Sequence, residues 1–203
     1  MKRIFIIKAS KAITSPKFSM KNIAGSSGRL DVVCRCILNA FKVNGKIRTN
    51  TTFYAVLEGP PKPSKLIIVN GEKLINFPNN EIEVAKIIRD LLKIEEGEHS
   101  IFKGFSIMKM DFKKLIKNLK SQKNLELIYL HQNGKDIRKF NFNLNKNYAF
   151  ILGDHIGLDP FSEKFLDSLK IPRISLGPVI YLSSQCIVIV HEELDRFIKS
   201  KLS

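Results

Sequence analysis

What most constrains this chain is an alternation. Short apolar, β-branched runs take turns with stretches whose apolar residues recur every three to four positions. Lys2–Lys8, Thr51–Leu57, Leu66–Val69, Leu125–Leu130 and Tyr148–Leu152 read as strands. Between them, Arg29 to about Val43 carries Leu30, Val33, Cys34, Ile37, Leu38 and Phe41 at the spacing that places one apolar stripe on a helix. Asn79 and Asn80 are suitable caps for a second helix through Ile94, with Ile82, Ala85, Ile88, Leu91 and Leu92 facing inward. Two further helices are expected at Asp111–Leu119 and about Ser162–Leu169. Strands alternating with helices predict an α/β layer structure with a mostly parallel sheet flanked by helices, and a ligand site at the carboxyl ends of its strands.

Two segments are harder to read. Leu66–Val69 is expected to turn at Asn70-Gly71 into a partner strand near Lys73–Ile75, and Gly97–Met110 into a short strand and loop. Ile187-Val188-Ile189-Val190 favours a strand by local propensity. Ser183 and Ser184 as caps, and the HEELDRFIKSKL stretch that follows, favour a helix instead. The helix is the reading taken, buried all round in its first turns.

A chain of 203 residues with 44% hydrophobic content can bury one good core, so a single domain over 1–203 is expected. Its 34 Lys and Arg against 19 Asp and Glu give a net charge of +15, an attractive field for a polyanion such as RNA. Thermal adaptation or genome bias can also enrich lysine, and charge alone leaves that alternative open. No stretch approaches the roughly 20 apolar residues needed to cross a bilayer. The opening MKRIFIIKAS reads as a strand and not a secretion signal, so a cytoplasmic location is expected. An odd count of three cysteines makes a poor disulfide framework. Cys34 and Cys36 lack zinc-ligand spacing, and no metal is expected.

Three strand exits contain glycine, which lets backbone amides approach a ligand closely: Tyr129-Leu130-His131 with Asn133-Gly134, Leu152-Gly153-Asp154-His155-Ile156-Gly157, and Arg173-Ile174-Ser175-Leu176-Gly177-Pro178. Each alone is an ordinary strand-to-loop junction. Asp154 reads as structural or as a cofactor contact, and His155 stays an open candidate. His131, His99 and His191 have no visible partner and read as ordinary surface or helix residues. Near the amino terminus, Gly25-Ser26-Ser27-Gly28 leads into a helix beginning near Arg29. Free amides there could seat a phosphate with help from Arg29. Ser27 as a plain cap and Asp31 as an early-turn acid are the equally open alternative.

Taken in order, these three segments, then Cys186 and HEELDR, resemble the carboxyl half of the archaeal tRNA pseudouridine-N1 methyltransferases of the SPOUT class. GSSGRLDVVCRCI and FYAVLEGPPKP resemble the amino-terminal parts of that family, so the resemblance covers most of the chain and is weakest over 97–123. It implies a SPOUT α/β-knot fold with a deep carboxyl-terminal trefoil knot, S-adenosylmethionine as cofactor, tRNA as substrate, and a homodimer. The cofactor positions it implies are Leu130, Gly153, Ser175, Leu176, Gly177 and Cys186. Cys186 is expected to pack against the cofactor, since no flanking charge would lower its pKa.

Methylating a pseudouridine N1 requires an aligned acceptor and the departure of one proton. Asp31 is the expected base, or the group that orients the N1–H. Arg29 is expected to hold the ring or its phosphate and stabilise charge on a carbonyl oxygen. Lys42, Lys46 and Arg48 are candidates, with Arg29, for tRNA backbone contacts. Two alternatives remain: a methyltransferase for pseudouridine in ribosomal RNA, acting in ribosome assembly, and a basic RNA-binding module without catalysis.

Overall fold

The computed structural model describes residues 1–94 and 96–202. In chain order the elements are β1 (Arg3–Ala9), α1 (Ile23–Ser26), α2 (Leu30–Phe41), β2 (Lys42–Val43), β3 (Lys46–Ile47), β4 (Thr51–Leu57), β5 (Lys65–Asn70) and α3 (Glu81–Ile94). Then follow β6 (Gly97–Glu98), β7 (Phe105–Lys109), α4 (Phe112–Lys120), β8 (Leu125–Asp136), β9 (Asn147–Gly153), α5 (Pro160–Ser168), β10 (Arg173–Ser175) and α6 (Ser183–Leu202).

One sheet organises them, in the order β10-β8-β9-β1-β4-β5-β7-β6. The run β10 to β4 is parallel, and β5, β7 and β6 add an antiparallel edge. Alternate residues of the central strands face opposite layers, as the two-residue period of a strand requires. Phe5, Ile7, Phe53, Phe150 and Leu152 pack against α2, α3 and α6. Ile6, Val56, Leu127, Ala149 and Ile151 pack against α4 and α5. The sheet is thus covered on both faces, which explains why β1 and β9 are apolar runs without polar alternation.

The helices start where side chains can cap them. Asp159 accepts from the amides of Phe161 (3.1 Å) and Ser162 (3.0 Å) to open α5, with Pro160 in its first turn. Asn80 and Glu83 form a reciprocal box at α3: Asn80 Oδ1 accepts from the Glu83 amide at 3.0 Å, and Glu83 Oε2 accepts from the Asn79 amide at 2.9 Å.

Three expectations need correcting. Asn70-Gly71 does not make a hairpin. The Asn70 side chain accepts from the Glu72 amide and folds Gly71–Lys73 into a 3-10 turn, so β5 takes β7 as its partner. A glycine is needed at 71 because a Cβ there would lie 2.6 Å from the Arg48 carbonyl oxygen. The hairpin forms instead at Asn44-Gly45, where φ of 44° and 73° suits the tight turn joining β2 to β3. Ile82, expected inward, is exposed, because it stands two residues and therefore about 200° around the helix from buried Val84. Finally, α6 is helical as expected, but only one face of its start is covered: Ile187 and Val190 are buried while Val188 is 49% exposed.

Candidate functional site: a cleft at the carboxyl ends of the parallel strands

The exits of β8 and β9 open onto a cleft of about 590 Å³, a volume suited to a nucleotide-sized ligand. Strand irregularity builds its first wall. Consecutive residues Arg173 and Ile174 of β10 pair with Tyr129 and Lys135 of β8, so residues 130–134 leave the ladder. This frees Leu130, His131 and Gln132 to line the cleft. Gly134 permits the return, since a Cβ there would sit 2.5 Å from the Ile174 backbone.

The second wall is the β9 exit, from Leu152 to Leu158. A Cβ on Gly153 would lie 2.2 Å from the carbonyl carbon of Gly157, so only glycine lets this loop fold back on itself. Asp154 pins the loop, accepting from the amides of Ser10 (2.8 Å) and Ile156 (3.0 Å). That is the structural role allowed for it above, while the neighbouring His155 lines the cleft.

The third wall runs from Ile180 to Cys186. Ser183 Oγ donates to the Gly153 carbonyl at 2.9 Å and fastens the start of α6 to the β9 exit. Burial pushes the Cys186 thiol up to about 11, so it presents a neutral, apolar sulfur to the cleft.

The segment expected to face the acceptor approaches from α2. Gly28 and Arg29 both adopt left-handed φ, 64° and 69°. Gly28 has no alternative, because a Cβ would lie 1.8 Å from the Lys11 carbonyl oxygen. For Arg29 the conformation costs on the order of 1 kcal/mol and brings its side chain to the cleft. Asp31 receives three bonds there: Arg29 Nε at 3.0 Å, Arg29 Nη2 at 3.2 Å and Arg35 Nη2 at 2.7 Å. Burial pushes the Asp31 carboxyl up, but the hydrogen bonds and charges of Arg29 and Arg35 outweigh it and hold the group below its usual range.

The phosphate seat anticipated at Gly25–Gly28 is not available. The amides of Gly25, Ser26, Ser27 and Arg29 bond to Asn22 Oδ1 and to the carbonyls of Asn22, Ile23 and Ala24. Ser27 is fully buried and its hydroxyl accepts from the Leu30 amide at 3.1 Å, so it satisfies the first amide of α2 although Arg29, not Ser27, holds the N-cap position.

Of the residues singled out from sequence, Arg29, Leu130, Gly153 and Cys186 line this one cleft. Asp31 stands behind Arg29. Ser175, Leu176 and Gly177 form a tight turn at the end of β10, where Ser175 Oγ donates to the Gly177 carbonyl at 3.1 Å; they are not among the lining residues. Lys42, Lys46 and Arg48 follow the far end of α2, about 18 Å of helix away from its cleft end. Arg48 is committed to Asp195 at 2.6 Å, and Lys42 donates to the Asn79 carbonyl at 3.3 Å.

Several residues at the site escaped the sequence. Arg35 lines the cleft and bridges Asp31 to Glu81; its i+4 spacing from Asp31 was the available signal. Tyr129 donates its hydroxyl to Glu163 at 2.6 Å, and His131 lies 3.6 Å from the same carboxylate. His131 therefore has a partner, contrary to expectation. So do His99, which accepts from the amides of Ile101 and Phe102, and His191, which sits between Arg3 and the Ala40 carbonyl. Burial pushes the Cys34 and Cys36 thiols far up, and both are packing groups. Among the described residues no group of three or more His, Cys, Asp or Glu could hold a metal, and no helix is long and apolar enough to cross a membrane.

An open parallel sheet, a cleft over its strand ends built from glycine-bearing loops, and arginines at the mouth define a cofactor-binding α/β protein that faces an anionic partner. Comparison with known proteins makes this specific. The family model described as "Putative SAM-dependent RNA methyltransferase" matches residues 2–198. The tRNA (pseudouridine(54)-N(1))-methyltransferase of Methanococcus maripaludis strain C5 is 37% identical over 194 residues, covering 95% of this chain and 98% of that one. The protein of the same description from Methanocaldococcus jannaschii is 37% identical, covering 96% and 97%. Among solved structures, Archaeoglobus fulgidus Nep1 bound to S-adenosylhomocysteine shares the fold with a TM-score of 0.67 at 14% identity, covering 97% of this chain and 98% of that one. The chain belongs to the S-adenosylmethionine-dependent RNA methyltransferase family, together with the archaeal tRNA (pseudouridine(54)-N(1))-methyltransferases.

Proposed function

We propose that this protein transfers the methyl group of S-adenosylmethionine to N1 of pseudouridine 54 in tRNA. One observation carries the reading: a single cleft brings two of the three glycine-bearing loops, on one side, against Arg29 and Arg35 on the other. The cofactor supplies an electrophilic methyl on its sulfonium. Its purine-sized body fits between Leu130, the Gly153 loop and Cys186, where apolar surface alternates with backbone donors and acceptors. The resemblance alone assigns the Ser175–Gly177 turn, which does not line the cleft, to the cofactor loops.

On the acceptor side, Arg29 and Arg35 meet the nucleotide. Their positive charge favours the phosphate and any negative charge that develops on a ring carbonyl as the N1 proton leaves. Asp31 holds both guanidiniums in place. Its depressed pKa makes it a weak proton acceptor while they stay paired, so orientation is its main task and it accepts from N1–H only if Arg29 turns to the RNA.

Two further parts of the reading concern the whole assembly. The stretch 176–182 carries the chain from the sheet face of α5 to that of α6, and we take this crossing as the threaded segment of a SPOUT trefoil knot. Phe161, Val179, Ile180 and Leu182 leave large apolar surface exposed around the cleft. A second copy of the chain covers it in a homodimer.

Incubation with labelled S-adenosylmethionine and either tRNA or ribosomal RNA, followed by nucleoside mass spectrometry, tests the proposal. Label is expected in tRNA as N1-methylpseudouridine, and Asp31→Asn should abolish turnover while keeping cofactor affinity. Label in ribosomal RNA alone would transfer the activity to that substrate, and no label in either would leave an RNA-binding module.

A further inference from the structure

Away from the cleft, α4 and the turn after it read FKKLIKNLKSQKN from Phe112 to Asn124, with five lysines and no acid. The helix buries Phe112, Leu115, Ile116 and Leu119 against the sheet. Lys113, Lys114, Lys117, Lys120 and Lys123 are consequently all exposed. Lys113, Lys117 and Lys120 follow one another at i, i+4 and i+7, so they stand in a row with neighbouring Cβ atoms about 5–6 Å apart. Lys113 lies 5.7 Å over the Phe165 ring, and among the described residues none of the five has an ion-pair partner. Nearby acids are engaged elsewhere: Asp111 caps α4, Glu126 pairs with Lys146, and Asp167 pairs with Arg173.

The row ends in a hollow of about 520 Å³ between the ends of α4 and α5, lined by Lys120, Lys123 and Lys170 and by Lys146, which neutralises the one carboxylate there, Glu126. The row's other end lies toward the carboxyl ends of the parallel strands. The Phe112 ring lies 5.8 Å from Lys8 Nζ, and Lys8 is paired in register with Gly153 of the cleft. An unneutralised row of this kind, held on the back of the sheet, costs self-repulsion and contributes nothing to the core.

We infer that the α4 lysine row and its terminal hollow dock the phosphodiester backbone of the substrate RNA at a distance from the methylated base. The inference rests on the reading of this protein as an RNA methyltransferase, and it extends the footprint from the cleft, past α5, to the opposite sheet face. A long folded RNA can reach both places; a short stem-loop reaches only the cleft.

The triple variant Lys117→Gln/Lys120→Gln/Lys123→Gln tests it, with binding of an unmodified tRNA transcript measured across a salt series. Binding is then read whether or not a base is methylated, so failure of the methylation reading and failure of this one are separable. Each lost phosphate contact should lower the log–log salt slope by about 1, so the slope falls by about two to three and affinity drops by about tenfold or more. Methylation of an isolated T-stem-loop and calorimetric binding of S-adenosylmethionine should stay unchanged. A control with the same charge change elsewhere, Lys73→Gln/Lys86→Gln/Lys103→Gln, should move the slope far less. An unaltered slope in the α4 variant, or a slope equal to the control's, overturns the proposal. Loss of binding to phosphatidylserine vesicles with tRNA binding intact would also overturn it, assigning the row to a membrane surface.

Discussion

Between Arg3 and the carbonyl of Ala40, the imidazole of His191 is enclosed, 3% exposed, with Nδ1 2.9 Å from Arg3 Nη1 and Nε2 3.0 Å from the carbonyl oxygen. Burial, then the charges of Arg48 and Arg3, push it down to about 3. An unfolded histidine takes up a proton near pH 6.5. Between those values the unfolded state holds the extra proton, so stability falls as pH drops through the window. Denaturant unfolding should therefore show about 2 kcal/mol less stability at pH 5 than at pH 7. His191→Gln should flatten that difference, and a wild-type protein equally stable at both pH values would contradict the burial argument. Nothing in the local sequence announced this role, because Arg3 lies 188 residues away. Gly153 is the opposite case: an apolar run ending in glycine marked a close backbone approach before any partner was visible. Asp31 lies between them, since its chemistry was legible but its two arginine partners were only half so.

At the level of elements, the cleft depends on loops that leave regular structure at fixed places. The β9 exit folds back only because position 153 carries no Cβ, and Ser183 ties the first turn of α6 to its carbonyl. Gly153→Ala should shift the 154–157 loop and weaken S-adenosylmethionine binding in calorimetry by about tenfold or more, some 1.4 kcal/mol. Cooperative thermal unfolding should persist, and wild-type affinity would remove this loop from the cofactor site. The amphipathic periodicity of α2 and α4 was plain in the sequence because one stripe of each meets the sheet. The start of α6 was harder, since four β-branched residues favour a strand locally and only packing of Ile187 and Val190 into the core makes the helix pay. The Asn70-Gly71 pair misled for a related reason: the dipeptide suits a hairpin, but a crowded backbone at Gly71 and the capping Asn70 side chain select a 3-10 turn.

Across the whole molecule, the parallel half of the sheet carries the cleft, and the antiparallel edge β5-β7-β6 extends the layer away from it. The α/β class and the position of the site at the strand ends followed from alternation alone. The antiparallel edge did not, because a strand's direction depends on which neighbour it finds. Methyl transfer was legible only through the ordered resemblance of three loops; charge pointed to a polyanion without naming one. Part of that charge stands in two places, the arginines at the cleft mouth and the α4 row behind the sheet. In the proposed reaction the acceptor is a ring N–H that pseudouridine has and uridine lacks, since uridine's N1 carries the ribose. Methyl transfer to two tRNAs identical except for pseudouridine or uridine at position 54 tests it most directly. Turnover is expected with the first and none with the second; equal methylation of both would mean that the acceptor is not the pseudouridine N1–H.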